Sequence, residues 1–530
     1  MAKAIKKVAL VSNGDFRNPA CVVGWDKQKE TLKLIKAAFK KLKVETVEYP
    51  KYDRKRGHGF LSRQCEGTEL FSQIPADMPV VVVLSIWAYA HHVSGALQTH
   101  KGPILLCANF DGTWPGLVAL LNHSGTLERL GVKHSRLWSE TFLEDEKFMK
   151  KLGQFVQRGS VTHSQSHWTD AESLKVPPAA DKFGQKLAKN ILNKRRILGQ
   201  LDPGCMGMLN AVMDPAKLGA VGMPIEYLNQ SDLLAEMALV SDDEAQEHLN
   251  WLVKKGTNFQ WGTDGRTELV HGQVMSQMKM YSAAGRLTER YGLSAIGIPY
   301  QYGLVRSCPA SDLVEGMLNN ADRPPIKSPE TGKVIHKGRP IPHFNEGDLG
   351  AAVPQLLMHD IYQLKNMDPE TTLHDVRWGR DWEGKFNWVF LISGAAPPQH
   401  WNGWKNTTVY RQPEMYFPMG GGTCSGVSKP GVITWARAWE RPGELWMDCG
   451  TGEVTQMPEA EVQERLDKTT PVWPIANTHI PGYDRDQLMA SHMSNHIVIG
   501  YGDILAELVA TCQHLGFKVR VCGHARKAFG

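Results

Sequence analysis

The chain has none of the short signatures that mark several large enzyme classes. It contains no GxxxxGK(S/T) run to cradle phosphates, no HExxH pair for zinc and no GxSxG nucleophile turn. Its nine cysteines (Cys21, Cys65, Cys107, Cys205, Cys308, Cys424, Cys449, Cys512 and Cys522) are an odd number without a CxxC pair. That argues against a disulfide framework and against a cysteine-based zinc site. No stretch approaches 18 apolar residues, so no membrane span is expected. The apolar run Val8–Val11, behind the basic start Met1–Lys7, is far too short for a signal-peptide core. The cytoplasm is therefore the expected compartment. Charge of one sign is also scarce, with 60 Lys and Arg against 55 Asp and Glu. The small surplus gathers in residues 1–60, which hold fifteen Lys and Arg but six Asp and Glu. Many of those cations lie on Lys27–Lys43 and alternate with Leu32, Leu34, Ile35, Ala38 and Phe39. This is the pattern of a solvated helix face, not of a nucleic-acid groove, although weak attraction of anionic substrates stays open.

What is present is alternation. At 530 residues the chain exceeds the size of a single core, so two or three domains are expected. Residues 1–172 alternate short apolar runs with helical spacing. Val8–Val11, Val44–Val47, Pro79–Leu84 and Ile104–Cys107 read as strands, and 27–42 as a helix. Residues 173–365 repeat the alternation, with strands expected at Val221–Ile225 and Ala295–Ile298 and a long helix over 273–291. From 366 to 530 short apolar runs are separated by Gly- and Pro-rich turns, the texture of a β-rich barrel-like domain. The predicted fold class is thus α/β: two doubly wound α/β domains followed by a β-rich C-terminal domain. The run Gly420–Thr423 leads into no clear helix and is expected to be a tight loop, not a dinucleotide turn.

Three segments are dense in chemistry. His343–Asp348 places Glu346 and Asp348 before an apolar helical stretch, where either acid could serve as a first-turn residue. Leu373–Trp378 carries Asp375, which could pair with Arg377. Ser491–Asp503 sets His496 at the head of an apolar run, where a lone histidine is often structural. Taken together they supply two hard carboxylates and one imidazole without cysteine. Such a set suits an oxygen-preferring divalent ion with positions left open to water or substrate.

These segments resemble those of the L-fucose and L-arabinose isomerase superfamily. Asn345-Glu346-Gly347-Asp348 is similar to the Glu-Gly-Asp region of arabinose isomerases. Asn495-His496 followed by Tyr501-Gly502 is similar to the tail of L-fucose isomerases. The resemblance implies that Glu346, Asp375 and His496 bind a catalytic metal, Mn²⁺ first, with Mg²⁺ or Co²⁺ also possible. It leaves His374 or His400 open as a further ligand. It implies an aldose–ketose isomerase acting through a cis-enediolate on a sugar of the L-fucose/D-arabinose type or a modified sugar, with Glu346 and Asp375 sharing proton transfer. It also implies a homo-oligomer, a trimer or hexamer, in which the N-terminal domain reaches a neighbouring subunit's site.

Substrate contacts are expected from Trp87 and Trp114, which follow N-terminal strands where open α/β sheets place ligands, and from Trp473 in a loop of the β-rich domain. Gln301, His492 and Asn495 could bond sugar hydroxyls. Two alternatives stand beside the isomerase. One is the same chemistry, isomerising or epimerising, on an anionic, for example sulfonated, sugar. The other is a non-catalytic sugar-binding protein, since two α/β domains around a cleft also build receptors. Neither a nucleic acid nor a membrane is an expected partner.

Overall fold

Val80–Leu84, the strongest apolar run of the N-terminal segment, forms a strand buried along its whole length, as a strand inside a parallel sheet must be. In the computed structural model, which describes residues 4–204 and 206–523, it sits in a five-stranded parallel sheet. Met1–Lys3 and Cys205 lie outside the described residues. Across the sheet the order is Glu45–Tyr49, Lys7–Ser12, Val80–Leu84, Ile104–Asn109 and Ser135–Ser139. The order reverses between Lys7–Ser12 and Val80–Leu84, so their carboxyl ends open a crevice of the kind that binds ligands. The helix expected over 27–42 runs over Asn18–Lys41, because Pro19 in its first turn needs no hydrogen-bonded N–H and starts it early.

The central domain is built on Leu198–Leu201, flanked in parallel by Ile225–Leu228 and Ala295–Gly297. The flanking strand expected from Val221 begins at Ile225, because Gly222 turns the chain with φ +83°. The long helix His271–Arg290 appears where its periodicity predicts and packs against Gln230–Ala238 and Asp242–Lys254. The domain ends in the helix Leu349–Leu364, buried from Leu349 through Tyr362.

The C-terminal segment is a closed barrel. Gly431–Arg441, His496–Tyr501, Thr371–Trp382, Lys385–Leu391, Ile475–His479 and Glu444–Val454 follow one another in the sheet, and the last pairs back to the first. Lys518–Cys522 then extends the sheet from Glu444–Val454, and Trp168–Asp170 adds to its outer edge. The chain just before the boundary expected at 172 is therefore hydrogen-bonded to the barrel. The helix after it, Pro178–Lys194, packs on Leu505–His514. Alternation of side chains lets the barrel share a core with each α/β domain. On His496–Tyr501, Ile497 and Ile499 join the core that holds N-terminal residues, whereas Val498 joins that of the central domain. Each such apolar side chain, fully buried, stabilises the fold by about 1.5–3 kcal/mol. Gly420 and Gly421 turn a loop with φ +71° and +107°, as expected. Among the described residues no helix is long and apolar enough to cross a membrane.

Candidate metal centre and active-site cavity

The site forms where the three domains meet. After the strand Ala295–Gly297, His343 bridges in parallel to Ile296 and brings the turn Asn345–Gly347 to that strand's carboxyl end. Glu346 there takes the left-handed conformation, φ 57° and ψ 15°. This is uncommon for a residue with a side chain and is held only by the packing around it. Two residues on, Asp348 starts the buried helix and accepts a hydrogen bond from the Ala351 N–H at 3.0 Å. Asp375 and His496 come from neighbouring antiparallel strands in a register that sets them directly opposite one another.

These placements converge on one imidazole. His496 Nδ1 lies 2.7 Å from Asp348 Oδ2. Its Nε2 is 3.4 Å from Asp375 Oδ1 and 3.7 Å from Glu346 Oε2, and it is buried without a hydrogen-bond partner. Donation from Nδ1–H to Asp348 turns the Nε2 lone pair toward two carboxylates, so electron-rich groups face each other across a gap that requires positive charge. Burial opposes charging His496, yet the hydrogen bond to Asp348 and the nearby Asp375 carboxylate push its pKa up to about 10. Burial pushes Glu346 up to about 8, with Asp375 adding to the rise and His496 resisting it.

The donor types gathered here are those that a divalent cation takes. The two carboxylates are hard donors and the orphaned Nε2 a borderline one, and donors on one cation at about 2.1 Å lie about 3 Å apart when their bonds are perpendicular. Among the described residues no group of three or more His, Cys, Asp or Glu is arranged closely enough to hold a metal ion as it stands. The three groups stand slightly wider than a bound ion would draw them. Their supports are in place, as in sites where a carboxylate fixes a ligating histidine. Asp348, fully buried, also pairs with buried Arg437 at 2.5 Å. Burial alone would raise its pKa, but Arg437 and His496 hold it below the ordinary carboxylate range. Asn495 Nδ2 donates to Asp375 Oδ1 at 3.2 Å.

Glu346 and Asp375 floor a cavity of about 290 Å³, with His496 behind them. Arg17 and Trp87 enter from the crevice where the N-terminal strand order reverses; Trp114, Met206, Arg377, Ser393, Tyr416 and Trp473 complete much of the wall. The N-terminal domain thus lines its own chain's cavity. Arg17 is clamped by Asp15 at 2.7 Å and lies over the Tyr416 ring. Trp473 Nε1 donates to Gln412 Oε1 at 2.8 Å.

Of the residues expected from sequence, Glu346, Asp375 and His496 come together, and Trp87, Trp114 and Trp473 line the cavity. Asn495 acts on Asp375 from behind. His492 is not on the wall: Tyr483 Oη bonds its Nδ1, and its Nε2–H donates to the His496 carbonyl, each at 3.0 Å. Gln301 is also off the wall, buried against Gly204. His374 points to the face of its strand opposite Asp375 and packs on Phe390, while His400 Nε2 contacts the Glu370 carbonyl at 3.2 Å. Neither makes a hydrogen bond or ion pair with the three clustered residues. Arg17, Ser393 and Tyr416 were not anticipated. For Arg17 a signal existed, since it follows the first strand at the point where ligands bind. Tyr416 and Ser393 sit in irregular loops that carry no periodicity.

Residues 393–522 match the model of the L-fucose isomerase C-terminal domain family. The match includes Ser393, Tyr416, Trp473, Asn495 and His496, while Glu346 and Asp375 lie before it. No curated protein matches the chain.

Proposed function

We propose, for a chain that is a fucose isomerase-like protein, that the cavity interconverts an open-chain aldose and its ketose. The observation that carries this is the buried, unpartnered Nε2 of His496 set against two carboxylates at the floor of a cavity walled by tryptophans. Glu346, Asp375 and His496 would hold the metal, with Mn²⁺ suiting two carboxylates and an imidazole, and Mg²⁺ or Co²⁺ next. Bound there, a divalent ion supplies Lewis-acid polarisation of neighbouring sugar oxygens, which acidifies the C–H beside the carbonyl.

The chain's own groups divide the remaining work. Asp375 is steadied by Asn495 and is the anchored carboxylate. Glu346 receives no hydrogen bond from any described residue and faces the cavity, so it is the group free to take a proton from one carbon and return it to the next. Asp348 orients His496 and is itself fixed by Arg437. Trp87, Trp114 and Trp473 offer apolar faces to the C–H side of a sugar and keep water from the floor. A homo-oligomer, trimeric or hexameric, is proposed on the resemblance alone.

The test strips the protein with EDTA, returns Mn²⁺, Mg²⁺ or Co²⁺, and follows aldose-to-ketose conversion over a sugar panel. Wild type is expected to regain turnover with one of these ions. Glu346→Gln is expected to lose about 100-fold or more in kcat, and His496→Ala to lose metal binding. A stripped protein that takes up no divalent ion by calorimetry would sink the metal reading.

A further inference from the structure

Arg377 is a cation that the proposed isomerisation does not use. It is 3% exposed, lines the cavity, and its Nη1 is buried without a hydrogen-bond partner. Among the described residues its guanidinium makes no ion pair. Its position is built into the strand. Val376 pairs with Phe390 and Trp378 with Val389, so Arg377 is the extra residue of a β-bulge in Thr371–Trp382. Two residues on from Asp375, it shares that residue's face of the strand and lines the same cavity. The charges close enough to act on Arg377 are those of Asp375 and Asp111, with Tyr416 beside them. Both acids already have cations: Asp111 pairs with Lys27, and Asp375 stands against His496. Arg17, the other cation on the wall, differs because Asp15 grips it at two atoms.

We propose that Arg377 binds an anionic group on the substrate, so that the cavity takes an aldose bearing a carboxylate, sulfonate or phosphate remote from its C1 and C2. The proposal rests on the isomerase reading of the same cavity. A buried guanidinium without a counter-charge is costly, and a neutral hydroxyl offers it one weak acceptor. An anion offers charge and two oxygens in the fork geometry that guanidinium matches. Spacing agrees: Asp375 and Arg377 are two residues apart on a strand, about 6–7 Å of backbone, the scale of an open six-carbon chain. The reacting end of the sugar thus meets the carboxylates while its far end meets Arg377.

Matched pairs test this in the full chain by calorimetry, with and without Mn²⁺: D-glucose with D-glucuronate, L-galactose with L-galacturonate, and the 6-sulfonate and 6-phosphate of each hexose. At least one anionic member is expected to bind about 30-fold more tightly than its neutral partner, and comparing the three anions identifies the group. Arg377→Met is expected to bring that ratio to about one, and Arg377→Lys to leave an intermediate ratio. Thermal unfolding of ligand-free Arg377→Met separates binding from structure, because removing an uncompensated buried charge should leave the melting temperature equal or higher. Equal binding of neutral and anionic partners, an unchanged ratio in Arg377→Met, or a clearly lower melting temperature would each overturn the proposal. If a neutral aldose is isomerised without any anion preference, the anion site falls and the isomerase stands. If the anion binds through Arg377 and no sugar is converted with Mn²⁺ present, the isomerase reading falls and the anion site stands.

Discussion

His492 and His496 stand four residues apart in one short segment, and both are fully buried. Their surroundings drive them to different charge states, one neutral and one positive. Around His492 are the Tyr483 hydroxyl, the face of Trp435 and a backbone carbonyl. Burial takes its pKa down to about 3, and the charges of Arg437, Arg136 and Arg520 push the same way. Around His496 are Asp348, Asp375 and Glu346, whose pull outweighs burial. The first imidazole is a neutral brace. The second marks a place where the fold requires positive charge, from a proton or from a metal that displaces it.

The broadest way to break this contrast is acid, which tests whether burial does hold histidines neutral. His123, His134 and His400 are, like His492, pushed down by burial, to about 4. An unfolded chain takes up these protons below about 6.5, so between about 6.5 and 4 the unfolded state binds more of them. Stability should therefore fall as pH falls through that window, by on the order of 3 kcal/mol for each such group at pH 4. Urea midpoints at pH 7, 6, 5 and 4 measure it; a flat series would mean these rings are protonated in the fold.

Next in size is Asp348→Asn, which attacks the His496 side. It leaves buried Arg437 without its partner, at about 3–5 kcal/mol of stability. Metal affinity should drop about 10–100-fold as the ring loses its orientation. Metal titration and denaturant melts on the same protein read both. Asn495→Ala is narrower. Turnover should fall about tenfold through a looser Asp375, with stability changed by about 1 kcal/mol, and steady-state kinetics beside a melt would separate the two. The smallest effect belongs to the neutral brace. Tyr483→Phe removes the hydroxyl on His492 and should cost about 1–2 kcal/mol, with kcat within about threefold of wild type. A larger loss of kcat would move His492 from brace to participant.

The sequence made some of this legible and hid the rest for physical reasons. Glu346, Asp375 and His496 could be picked out because hard donors without cysteine suggest one kind of ion, and the structure sets them within contact of each other. Parallel strands such as Val80–Leu84 and the turn-rich barrel follow from period and punctuation. The bulge at Arg377 was invisible, since nothing in Val376-Arg377-Trp378 says which residue leaves the ladder. Asp348 reads in sequence as a first-turn acid and stands just before that turn, as the helix N-cap; its second oxygen also serves His496 and Arg437, a dual role that spacing does not reveal. His492 and His496 look alike in sequence because the carboxylates that distinguish them lie more than a hundred residues earlier.

The cross-barrel pairing also governs how the protein is made. His496 lies in a strand that bonds on both sides to strands emerging earlier, Thr371–Trp382 and Gly431–Arg441. At about 5–20 residues per second, Asp375 leaves the ribosome on the order of 10 s before His496 does. During that interval the barrel is open, its edges are unpaired, and Glu346 and Asp375 lack the imidazole that later faces them. The cluster is thus a late event in biosynthesis, completed together with the fold.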